Sequence, residues 1–401
     1  MPRNQKALLA VCLFLLLVAV ASTPQPLLAW SKVSAFFGVD FRRFWVCSWT
    51  IRVGQSIYGE EFRQIGLRLL NTNYNPGENY HVPGWYALLL PTTFLSLGQA
   101  LTLYTSLSIV VFVSGIAWLT CELFGARLLP LTLALLLTLG TLLSPLGLDN
   151  LVLAQVGLLC AGLLAGAYAA WLRGLPFLAG SLLGLASLSK AYPVLLLASL
   201  ARKQKQRALW GWLAVVGVTH AIALAYAGLP LFFDFFSSVL HLPIKAYDRS
   251  HSVPAVLIRF WPGWEPELAL FSKVLFAGML LLYFRGAWRA RRRGAEALWL
   301  AVGILTFQTM AAFCWTYQCV LNIVPLLLVV SQLKPGRPWA ALAAVALTIH
   351  LALSGDLVWN GSLNAAHASF RAGGWGAWTA TLALIALLIE NHRCKDAEDE
   401  V

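Results

Sequence analysis

The chain has 401 residues, of which 59% are hydrophobic and 11% charged, and its mean hydropathy is +0.72. Soluble domains carry about 25% charged residues, so this composition excludes a soluble globular protein and points to a polytopic membrane protein. The net charge of +12 does not point to nucleic acid, because the basic residues sit in short clusters between apolar runs, the arrangement that encodes topology.

Residues 7–21 follow Arg3 and Lys6 and end in Val18-Ala19-Val20-Ala21, a pattern shared with signal peptides. We read them as a retained first span, since apolar character continues with breaks through Trp30. Residues 31–82 then form a polar, aromatic-rich loop with Glu60, Glu61, Arg63 and Arg68, long enough for short helices lying on the membrane surface. Apolar segments recur at about 83–97, 100–123, 128–145, 150–172, 177–200, 208–228, 268–285, 296–313, 317–332, 338–355 and 375–390. They predict an all-α integral membrane protein of about twelve transmembrane helices, one polytopic domain over residues 1–401. The segments 83–97 and 317–332 are the shortest and the two open to a re-entrant reading.

The basic clusters at 202–207, 285–293 and Lys334 to Arg337 are separated by even numbers of spans, so they share one side, which the positive-inside rule makes cytoplasmic. Both termini fall on that side. Loops 31–82, 229–266 and 356–373 then lie outside, in an inner (plasma) membrane protein.

Asp40 stands out in the first outer loop, within Phe36-Phe37-Gly38-Val39-Asp40-Phe41-Arg42-Arg43-Phe44-Trp45. A carboxylate near the end of a span, among aromatics that favour the headgroup layer, lies where a lipid-borne substrate presents its polar head. Arg42 and Arg43 are expected to hold its pKa low and keep it ready to accept a proton. The competing reading is an N-cap for a helix running to Gly54. Lys190 lies within an apolar segment, either as a functional cation or as a side chain reaching the cytoplasmic interface. Gln155 is a membrane-embedded amide that must find a partner. Lys245, Asp248, Arg249, His251 and Arg259 form a basic run in the second outer loop, suited to a phosphate ester or to headgroup anchoring. The seven cysteines show no C-x-x-C pair and read as small core residues, with neither metal nor disulfide logic. The chain has no D-x-D, Walker loop, H-E-x-x-H or G-x-S-x-G, which leaves ATP-driven pumping and hydrolase chemistry without support and predicts no metal and no cofactor.

Taken together, these stretches resemble glycosyltransferase family 87, mannosyltransferase-like enzymes of the GT-C class. The family's opening Asp, aromatics, Gly and Tyr are matched by Asp40, Phe44, Trp45, Gly54 and Tyr58, and its next Tyr and prolines by Tyr80, Pro83 and Pro91. Its Gly-Gln-x-Asn stretch corresponds to Ala154-Gln155-Val156-Gly157, its Ala-Gly, Lys and Pro to Ala179, Gly180, Lys190 and Pro193, and its polar-Ser before Arg to His251-Ser252 and Arg259. Trp315-Thr316-Tyr317-Gln318 aligns with a Trp near paired histidines, so Tyr317 and Gln318 replace the histidines by neutral groups.

The resemblance implies inverting transfer of a hexose, mannose first, from a polyprenyl-phosphate sugar to a lipid or glycan hydroxyl on the extracytoplasmic side. It gives Asp40 the role of general base and assigns donor-phosphate contacts to Lys190, Arg259, Arg249 and His251. Tyr58, Tyr80, Gln155, Trp315, Tyr317 and Gln318 would line the substrate cavity. The rival is a multi-pass transporter or lipid flippase, against which stand the lack of an internal repeat and the long aromatic first loop. A protein O-glycosyltransferase is disfavoured, since those enzymes carry adjacent acidic residues where this chain has Asp40-Phe41.

Overall fold

A computed structural model of the chain describes residues 2–22, 38–58, 60–70, 81–190, 192–199, 205–240, 252–290, 293–310, 316–334, 337–353 and 379–388. Among these residues the regular structure is all helical, with no strand. A helix satisfies its own backbone hydrogen bonds, which is what a hydrocarbon surrounding demands. The chain opens with α1 (Arg3–Ser22), α2 (Val39–Arg52) and α3 (Glu60–Leu70). Then come α4 (Pro83–Leu88), a 3-10 turn (Leu90–Phe94), α5 (Leu97–Phe124), α6 (Leu128–Leu143), α7 (Pro145–Leu153), α8 (Gly157–Leu172) and α9 (Pro176–Ser189). A 3-10 segment (Tyr192–Ser199) leads to α10 (Lys205–Ala227), α11 (Pro230–Leu240), α12 (Val253–Phe260), α13 (Glu265–Arg289) and α14 (Arg293–Met310). A second 3-10 segment (Thr316–Asn322) runs into α15 (Ile323–Ser331), followed by α16 (Pro338–Leu353) and α17 (Thr379–Leu388).

The apolar runs of the sequence do not map one to one onto membrane-length helices. Among the described residues only α5, α10 and α13 are long and apolar enough to cross alone, and α6 with α7 make a fourth only as a pair bent by 67°. Helices α8, α9, α16 and α17 are apolar but shorter. Hydropathy registers apolar length and is blind to breaks, so Ser144-Pro145 splits one run and Lys190 ends another. The segment at 83–97 forms no helix of membrane length. Its α4 and 3-10 turn lie along α2, where the Trp45 indole N–H donates to the Thr92 carbonyl at 3.1 Å and the Arg52 guanidinium to the Thr93 carbonyl at 2.9 Å.

The contacts sort the helix ends into two groups. At one end the Gln5 amide donates to the Phe124 carbonyl at 3.4 Å, and Arg173 pairs with Glu122, so the start of α1 meets the finishes of α5 and α8. At the other, the Gly38 amide donates to the Val152 carbonyl at 2.7 Å, so the start of α2 meets the finish of α7. Chain direction follows: α5 runs toward the Arg3 end, α6 back alongside α1, α8 toward the Arg3 end and α9 back again. The 3-10 segment then returns, because Leu197 and Ala198 share a cavity with Gln206, Ala208 and Leu209 at the start of α10. Arg207, at the start of α10, is therefore at the Arg3 end, and Asp40, Gln155 and Lys190 are at the opposite one.

At the centre stands α8, buried from Gly157 through Trp171. It crosses α5 with backbone against backbone: a Cβ on Gly115 would collide with Gly162, and one on Gly162 with Val111 and Phe112. Small residues at a crossing allow this approach, which van der Waals contact then stabilises. Gly162→Leu should lower the stability of the detergent-solubilised protein by roughly 1–3 kcal/mol, the usual cost of overpacking, read as a lower thermal midpoint.

Candidate active site

Asp40 is placed by the glycine before it. Gly38 has φ 70°, a left-handed conformation open to glycine, and a Cβ there would strike the Leu101 side chain. Gly38 itself holds the N-cap position of α2 and no side chain caps the helix, so the capping reading of Asp40 falls: the residue sits inside the first turn. The next residues turn inward. Phe41 stacks on Tyr104 of α5 with centroids 4.8 Å apart, and Phe44 meets His81 edge-on at 4.9 Å and Trp85 at 5.8 Å. Asp40 itself is partly buried.

The partner of Asp40 arrives from α7. That helix ends at Ala154, with φ 50° and ψ 52°, the one non-glycine residue in the left-handed region among those described. This reversal forms an elbow and turns Gln155 back, with its backbone amide donating to the Asn150 carbonyl at 2.9 Å. The Gln155 side-chain Nε2 donates to Asp40 Oδ2. Its Oε1 accepts from the Val156 amide at 3.3 Å, which fixes which way round the carboxamide lies.

Two cations complete the site. Burial raises the Asp40 pKa above 3.8, while the Gln155 hydrogen bond and then the positive charges of Arg43 and Lys190 pull it down without cancelling the rise. The expectation that Arg42 and Arg43 hold it low is therefore corrected: removal from water outweighs the attraction, and of the two arginines it is Arg43 that acts. Lys190 follows the last turn of α9 with extended backbone and lies at the Asp40 end, so the reading that it reaches toward the basic interface falls as well. His81 was missed from sequence, where a lone His two residues before Pro83 carries no signal. Its Nδ1 is 2.7 Å from the Ser189 carbonyl, one of the orphan acceptors at the end of α9. Burial holds His81 well below 6.5, and Lys190 and Arg43 add to that, so the ring is neutral and Nδ1–H donates.

The other residues singled out from sequence are spread more widely. Tyr58 lies past the far end of α2, where its amide donates to Ser56 Oγ at 3.2 Å and Ser56 in turn donates to Asp234 of α11 at 3.0 Å. Gln318 is buried in the second 3-10 segment, which packs on α7 and α8, and its carbonyl accepts from Gln308 Nε2 at 3.2 Å. Tyr317 lies on the same segment and Arg259 on α12. Tyr80, Arg249, His251 and Trp315 lie outside the described residues. From separate parts of the chain the structure thus gathers Asp40, Arg43, His81, Gln155 and Lys190 at one place.

A family model described as glycosyltransferase family 87 matches residues 81–314, more than half of the chain. The protein belongs to glycosyltransferase family 87. No curated protein and no solved structure matches it. The matched stretch of this family 87 glycosyltransferase contains His81, Gln155 and Lys190; Asp40 precedes it, and Tyr317 and Gln318 follow it.

The raised pKa has a consequence for stability. A carboxyl whose folded pKa lies above its unfolded one contributes stability that is full below the unfolded value and lost as pH rises through the folded value. Once ionised, Asp40 is thus a cost to the fold. Asp40→Asn, whose amide oxygen can still accept from Gln155, should melt no lower than wild type at pH 7. The gap should close toward acid, measured by thermal unfolding in detergent across pH.

Proposed function

We propose that this glycosyltransferase moves a hexose, mannose by the family resemblance, from a polyprenyl-phosphate sugar to a hydroxyl of a lipid or glycan acceptor, with inversion and at the extracytoplasmic face. The scaffold would be a GT-C-type bundle of about twelve passes in the plasma membrane, some built from broken helices. The observation that carries this reading is the convergence of one buried, hydrogen-bonded carboxylate with two cations. The charges match a proton acceptor beside an anionic leaving group.

In this scheme Asp40 takes the proton of the acceptor hydroxyl as its oxygen bonds to the anomeric carbon. The bond from that carbon to the phosphate oxygen breaks on the opposite face, and the electron pair leaves with the polyprenyl phosphate. The transition state has oxocarbenium character, so the carboxylate also stabilises the positive charge on the sugar. Lys190 and Arg43 would offset the charge developing on the phosphate, with Arg259, Arg249 and His251 as further donor contacts. Tyr58, Tyr80, Gln318, Tyr317 and Trp315 are proposed to line the path of donor and acceptor. Apolar helices around the site suit the polyprenyl chain, and the scheme calls for neither metal nor cofactor.

The test is incubation of the purified protein with a panel of labelled polyprenyl-phosphate sugars and a membrane lipid extract. With the active donor, Asp40→Asn should fold and bind donor normally but lose about 10² to 10⁴ in turnover, the usual contribution of a general base. The acidic limb of the wild-type profile should lie above the usual carboxylate range, because a buried base must lose its proton to work. Wild-type turnover in Asp40→Asn would refute the catalytic reading.

Orientation is tested separately. In a cysteine-free background, Glu60→Cys should react with an impermeant probe on intact cells and Arg207→Cys only after permeabilisation. The opposite pattern would place the site on the cytoplasmic side.

A further inference from the structure

We propose that Gln155 is the positioning residue of the base: its side-chain amide, aimed by the left-handed turn at Ala154, holds Asp40 Oδ2 and so reserves Oδ1 for the acceptor proton. The proposal rests on the reading of Asp40 as the base and gives Gln155 a role different from lining the substrate cavity. Three observations carry it independently of one another.

The first is the orientation of the carboxamide. With Oε1 accepting from the Val156 amide, only Nε2 can face the carboxylate, so the side chain is committed as a donor to Asp40. A residue that contacted substrate through the same N–H would have to abandon the carboxylate. The second is backbone strain. Ala154 occupies a conformation that a residue with a Cβ pays to adopt, and such residues persist where the surroundings over-determine them. Here the surroundings are the end of α7 and the fully buried start of α8, and the result of the strain is the direction of Gln155. The third is the second tie between the same two pieces of chain, from the Gly38 amide to the Val152 carbonyl at 2.7 Å. One bond holds the start of α2 and the other the carboxyl, so the base is fixed in both place and rotamer.

The groups around the carboxyl are Arg43 from α2, Lys190 beyond α9, Tyr104 from α5 and Gln155 from the elbow. Of these Gln155 is the neutral donor bonded to it. Without that donor, burial of the carboxylate is opposed by the cations alone. Gln155→Ala should therefore lower kcat by about 10- to 100-fold, the weight of one hydrogen bond to a charged group. The KM for donor should stay unchanged, and the acidic limb should move to higher pH. Gln155→Glu, nearly isosteric, exchanges the donor for a like charge and should move the limb further.

The experiment measures pH profiles with polyprenyl-phosphate mannose for wild type, Gln155→Ala and Gln155→Glu. Alongside it, the carboxyl band of Asp40 is titrated by infrared difference spectroscopy, with Asp40→Asn identifying the band. The infrared titration needs no turnover, so it tests the hold of Gln155 on Asp40 even if mannose is the wrong sugar, while full turnover in Asp40→Asn would overturn the reading of Asp40 as the base separately. An upward shift of band and limb in both variants is expected. An unmoved band in a folded Gln155→Ala protein overturns the proposal. A raised donor KM with an unmoved limb overturns it too and makes Gln155 a substrate contact, while a lower melting temperature alone would make it a packing residue. If Gln155→Ala fails to fold, the Gln155→Glu band carries the same decision.

Discussion

Holding a carboxylate away from bulk water is the constraint on which the rest of the Asp40 end depends. An ion removed from water loses several kcal/mol of hydration in practice, and the loss must be met by hydrogen bonds and opposite charge. Here the compensation comes from three segments far apart in sequence: the start of α2 with Arg43, the elbow after α7 and the residue after α9. Their agreement is incomplete, and the raised pKa of Asp40 is the measure of what remains. A carboxyl in that state is a stronger base than a solvated one, which is the property that the proposed proton abstraction needs.

The broken helices serve this arrangement. A continuous span would carry its polar termini out to the interfaces, whereas α7 and α9 end beside Asp40 and deliver Gln155 and Lys190 there. Each break leaves backbone groups unpaired, and the site uses them: Val152 accepts from Gly38, and Ser189 accepts from His81. Irregular backbone at membrane depth is tolerated where it is buried in protein or lines a cavity. Close glycine crossings such as Gly115 on Gly162 pack the surrounding helices backbone against backbone.

Much of this site was legible in the chain. Asp40, Gln155 and Lys190 were each conspicuous for one reason, a polar group where apolar neighbours make it expensive, and that reason survives in the structure. His81 was not legible, since its interest lies in the Ser189 carbonyl, 108 residues away. The sign of the Asp40 shift was not legible either. Neighbours along the chain show charge, and only packing shows how much water is excluded.

Composition and apolar length by themselves determined that the protein is helical and membrane-embedded, because those properties sum over residues regardless of partner. Order along the chain also marked the few polar residues that such a setting makes costly. Which segments run whole and which break, which ends share a side, and which amide meets which carboxylate were decided by tertiary structure alone. The backbone turn at Ala154 shows why: no local preference asks an alanine to be left-handed, and it stands where the end of α7 meets α2 and the chain turns into α8.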